Sequence, residues 1–165
     1  MALKNDLTKL DKKALIEILA DLYKKNKQVK EYLDFYFKPD EDGLFEKYQA
    51  KVYETFYPKR GFGYNLKQGK QYISEFKKLE ASAALLAALM LFYVQTGIQF
   101  TNDYGDIDET FYNSLSSTYA SALKLLKKED LLDQFEERAF QLLLDSKNIG
   151  WGLNDSLSYT FYNFY

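Results

Sequence analysis

The stretch Ala81–Phe100 reads ASAALLAALMLFYVQTGIQF, and its run from Ala83 to Val94 contains no polar residue. An amphipathic surface helix returns a polar residue to its outer face roughly every 3.6 residues. Three turns without one predict a helix buried on most of its sides, and other helices must therefore surround it. A membrane span takes about 20 apolar residues. This run is shorter and breaks at Gln95, so a central core helix is the reading and no membrane is expected as a partner.

The rest of the chain supplies the surrounding helices. Asp11 is placed to cap a helix whose stripe is Leu15, Ile16, Leu19, Leu22 and Tyr23, with Asp21 and Lys25 paired on its outer face. Asn26 ends that helix and caps the next, which runs through Val29, Leu33, Phe35, Tyr36 and Phe37 to Pro39. Leu44, Tyr48, Val52 and Phe56 form a third stripe, closed by Pro58. After the irregular stretch YPKRGFGYNLKQG come Tyr72, Ile73, Phe76 and Leu79, and then Ser82 as the expected cap of the central helix, which should end near Asn102. Two further stripes follow, one from Ile107 to Leu126 and one within about Glu129–Ser146. NIGWGLND precedes a last helix carrying Leu157, Phe161, Phe164 and Tyr165. The expected architecture is all-α: a compact single domain, 1–165, of about seven or eight helices. They are arranged as antiparallel hairpins around the central helix, and a short helical-repeat-like array is compatible with that order.

Composition limits the chemistry. The 165 residues include no Cys and no His. Disulfides, thiolate metal sites, Cys/His and Ser/His/Asp catalysis and the usual imidazole ligands are thereby excluded. No cofactor and no catalytic residue is expected, and a cytoplasmic location follows from the missing Cys and from a charged start, MALKNDLTKLDKK, without a signal-like apolar core. Net charge is −2, but residues 1–80 hold 17 basic and 13 acidic residues (+4) while 81–165 hold 5 and 11 (−6). Such polarity fits halves that attract each other, a head-to-tail oligomer, or an anionic partner for the front half.

LIEILADLYKKNKQVKEYLDF, YPKRG, ISEFKKL, FTNDYGDIDETFYNS and NIGWGLND together resemble a family of small bacterial all-helical proteins catalogued as a domain of unknown function. The resemblance spans most of the chain and implies an all-helical fold without implying an activity.

Three constellations remain. The turn NDYGDIDE places Asp103, Asp106, Asp108 and Glu109 together, and hard cations bind clustered oxygens. The spacing is not that of a calcium loop, and carboxylates at a helix start have a capping role: Asp106 with Glu109 at N3, or Asp108 with Ile107 and Tyr112 as a staple. The 57–70 loop combines Lys59, Arg60, Lys67 and Lys70 with Tyr57, Phe62 and Tyr64, the residue types that hold phosphates and stack on bases. Its glycines match no phosphate-binding fingerprint. Finally, 18% of the chain is aromatic, and the tail holds Tyr159, Phe161, Tyr162, Phe164 and Tyr165, more than one face of a short helix can bury. Such an excess marks a partner surface or a homodimer contact. Trp151 between two glycines is either a plug on the core or part of that surface.

The expected role is a non-catalytic protein- or peptide-binding, scaffolding domain, with Lys59, Arg60, Phe62, Tyr64, Trp151 and Asp155 as binding candidates. Weak nucleic-acid or phosphate binding through the basic front half and the 57–70 loop is the alternative. A carboxylate metal site or enzyme built on the Asp103–Glu109 turn and Asp155 is third.

Overall fold

A computed structural model describes residues 2–165, which form nine α-helices and no strand. The helices are α1 (Ala2–Leu7), α2 (Lys12–Lys25), α3 (Lys27–Phe37), α4 (Glu41–Glu54), α5 (Leu66–Lys78), α6 (Ala83–Tyr104), α7 (Glu109–Lys128), α8 (Leu132–Asp145) and α9 (Leu153–Phe164). The expected seven or eight become nine because the short leading segment closes a helix of its own, α1. Contacts gather into two units, 1–40 and 41–165.

The first unit is a helical hairpin with a leading turn. Asp11 caps α2 by accepting from the Ala14 N–H at 2.7 Å, and Asn26 serves both helices as expected. Its N–H donates to the Leu22 carbonyl while its side chain accepts from Gln28 and Val29. Tyr23 donates to Asp34 at 2.7 Å and accepts from Lys30 at 2.8 Å, which fixes how α2 and α3 cross. Burial departs from expectation here. No residue of α1, α2 or α3 is buried, and Ile16 is 55%, Leu19 51% and Phe37 73% exposed. A pair of helices covers only the seam between them, whereas Ile16, Ile18, Leu19 and Leu22 spread over an arc much wider than one neighbour can screen.

The second unit is built on α6, which packs most extensively on α7 and also touches α4, α5 and α8. Leu89, Leu91, Tyr93 and Val94 are fully buried, as the polar-free run requires. At 22 residues, roughly 33 Å, α6 is also long and apolar enough to cross a membrane by composition, a property the core helix of a folded protein shares. Glycine permits its close approach to α7. A Cβ on Gly97 would lie 2.4 Å from a Leu115 methyl. α7 is the second hub, against α8 and α9, with Phe111, Leu115, Tyr119, Leu123 and Leu126 buried.

Polar groups inside this unit are paired. Tyr93 and Ser114 share a hydrogen bond of 2.8 Å, Tyr119 donates to the Ala139 carbonyl, and Arg138 reaches from α8 to the Ala88 carbonyl of α6. No buried side-chain nitrogen or oxygen among the described residues lacks a partner. Tyrosine thus fills volume and satisfies its hydroxyl at once.

Helix ends differ from expectation at three places. Ser82 makes no side-chain cap; its N–H donates instead to the Glu41 carboxylate at 2.8 Å, which ties the starts of α4 and α6 together. α6 continues two residues past Asn102 to Gly105, whose φ of +88° ends it where a Cβ would be strained. α8 begins at Leu132 rather than Glu129, because Asp130 takes a left-handed φ of +58° and the Leu131 N–H folds back to the Leu126 carbonyl.

Candidate functional site

Three segments meet where α6 ends: the 57–65 loop, the 102–109 turn and the Ile149–Gly152 turn. The loop is closed at its base by the Asn65 N–H donating to the Thr55 carbonyl at 2.7 Å, and Asn65 then caps α5. Gly61 and Gly63, at φ +81° and +119°, let the chain reverse between them. Phe62 is carried outward on that reversal.

Tyrosine–aspartate pairs join the segments. Tyr57 donates to Asp103 at 2.5 Å, Tyr64 to Asp108 at 3.2 Å and Tyr112 to Asp106 at 2.9 Å. Asp106 also accepts from the Gly150 N–H at 3.3 Å, so the YGDIDE and IGWG phrases touch through one carboxylate. Burial raises the pKa of all three phenols above the ordinary tyrosine range, and the partner carboxylate raises it further. Each therefore stays protonated, and a donor, throughout the physiological range. Of the two capping alternatives, Asp108 is the N-cap of α7, accepting from the Phe111 N–H at 2.8 Å.

Aromatic rings fill the space between these pairs. Phe100 lies 4.7 Å from Tyr104, 5.6 Å from both Tyr57 and Tyr64, and 6.0 Å from Phe111, centroid to centroid. Phe62 meets the edge of Tyr104 at 4.9 Å. Phe100 and Phe111 are buried and Tyr57 and Tyr64 half-buried, but Phe62 is 77% and Tyr104 50% exposed. Trp151, one residue beyond Gly150, is 61% exposed and holds φ at +57°. The plug reading is thus corrected: the indole points to solvent from a backbone conformation unfavourable for a bulky side chain.

The remaining sequence candidates separate. Lys59 pairs with Glu54 at 2.7 Å, Arg60 is exposed, and Lys70 turns to Ser117 on α7. Lys59 and Lys70 are thus turned to partners on different helices. Asp155 is exposed in the first turn of α9, beside Asn154, which clasps the Leu143 carbonyl and the Ser146 hydroxyl. Asp103, Asp106 and Asp108 are each engaged by a tyrosine, Glu109 lies in the first turn of α7, and no group of three carboxylates that could hold a metal ion occurs among the described residues. In the tail, Phe161 is buried with Tyr165 stacked on it, and Tyr159 and Tyr162 are open.

Phe100 and Tyr104 were not legible as site residues, although their i, i+4 spacing at the end of an apolar helix was the available signal. No curated protein and no solved structure matches the chain. A family model does: the one described as a family of unknown function (DUF6155) matches residues 1–164, and the chain belongs to that family.

Proposed function

We propose that this protein is a non-catalytic binding domain of the cytoplasm that captures a protein segment carrying Arg or Lys beside apolar residues. The observation that carries the reading is the exposure of Phe62, Tyr104 and Trp151 on a hydrogen-bonded frame whose rim is acidic. Large exposed rings are the anchors of interfaces, Trp151 being held open at a conformational cost, and guanidinium or ammonium groups stack on such rings while pairing with neighbouring carboxylates. The same carboxylates repel a polyanion, and Lys59 is already paired. Nucleic-acid binding therefore ranks below peptide binding.

Selection from a displayed random-peptide library tests this. Enriched peptides should combine basic and apolar residues, and Phe62→Ala or Trp151→Ala should each weaken them by tenfold or more while melting stays unchanged, as expected for an anchor residue. Enriched peptides indifferent to both substitutions would contradict the proposal, as would tighter binding of single-stranded RNA than of any selected peptide.

A further inference from the structure

Away from that aromatic end, a hollow of about 430 Å³ lies between α5, α6 and α7. α5 contributes Lys70, Ile73 and Lys77, which recur at the i, i+3, i+7 spacing of one helical face, and α6 contributes Met90. The opposite wall is α7, which has no charged residue between Glu109 and Lys124 and presents Ser117 to the hollow. A volume of this size lies within the range of small-molecule sites.

Both lysines are exposed at the mouth of the hollow, and neither forms an ion pair with a carboxylate among the described residues. Lys25, Lys30, Lys59 and Lys128 each have a carboxylate within 3.3 Å. Lys70 has only the Ser117 hydroxyl, at 3.1 Å, and that hydroxyl spends its own proton on the Ser114 carbonyl. Partial burial against α7 lowers the Lys70 pKa. An ammonium so placed keeps two N–H donors for an incoming acceptor.

We propose that this hollow binds a small organic anion, a carboxylate or phosphate monoester with a short apolar body, Lys70 and Lys77 holding the charged end and Ile73 and Met90 the body. The site is separate from the aromatic surface, so either can fail alone. Titration calorimetry of the whole chain with octanoate, octyl phosphate, octanol and inorganic phosphate tests it. At least one of the two amphipathic anions should bind with a Kd below about 1 mM, and their ranking tells a carboxylate site from a phosphate site. Lys70→Gln and Lys77→Gln should each weaken that anion tenfold or more, whereas Lys78→Gln, on the same helix but outside the hollow, should not. Octanol binding as tightly as the anions would overturn the proposal, and so would no heat from either anion, or equal affinity in Lys70→Gln, Lys77→Gln and the parent. Should Lys70→Gln melt early, Lys70→Arg, which keeps the charge, and Lys77→Gln decide the matter.

Discussion

α2 and α6 carry the same kind of signal, apolar residues at helical spacing, and come to opposite ends. Every residue of α6 from Leu86 to Leu89 is buried, whereas α2 buries none. Periodicity reports which face a helix would bury; it does not report how many neighbours arrive. Within its unit α6 packs on α4, α5, α7 and α8, and within the other unit α2 packs on α3. The difference teaches that burial is a property of the assembled unit: 41–165 is long enough to wrap a core, and a two-helix hairpin of under 40 residues is not.

Substitutions of one type placed in both regions break or sharpen this contrast. Leu89→Asp puts an unpaired carboxylate where exposure is 0% and should cost more than about 4 kcal/mol, abolishing cooperative melting by circular dichroism. A soluble variant that melts cooperatively would remove α6 from the centre. Gly97→Ala should cost about 1–3 kcal/mol by forcing its methyl into Leu115, more than the gain in helix propensity returns. Melting at or above the parent temperature would mean that the α6–α7 contact is looser than the 2.4 Å approach implies. Leu19→Asp changes the same residue type to the same charge as the first variant, but on a surface. It should shift the main transition by no more than about 0.5 kcal/mol.

What was legible in the sequence was local. Asp11, Asn26 and Asp108 cap their helices because a cap is decided within three residues. The polar-free run marked the core axis because no other environment suits it. Long-range pairings carried no such mark. Tyr57 and Asp103 are 46 residues apart, Tyr64 and Asp108 44, and Glu41 and Ser82 41, and nothing in either partner names the other. For this reason the acidic turn read as a cation site or a cap, and its service as acceptor to three tyrosines emerged only in the fold. Trp151 was ambiguous because its two glycines permit both an inward and an outward turn, and only its exposure in the folded chain shows the latter. The Lys70 hollow was illegible for a further reason: it needs α5 and α7 on either side of α6, with the charge-free serine face of α7 turned toward the lysines of α5.

The contrast between the two regions rests on one measurement above others, amide hydrogen exchange along the intact chain. Amides of α6 between Leu89 and Ile98 should exchange only through global unfolding, while those of α2 between Leu15 and Leu22 should open at least about 3 kcal/mol more easily, as helices with few buried contacts do. Protection in α2 equal to that in α6 would contradict the account, because it would mean that the hairpin's apolar face is covered as firmly as the core.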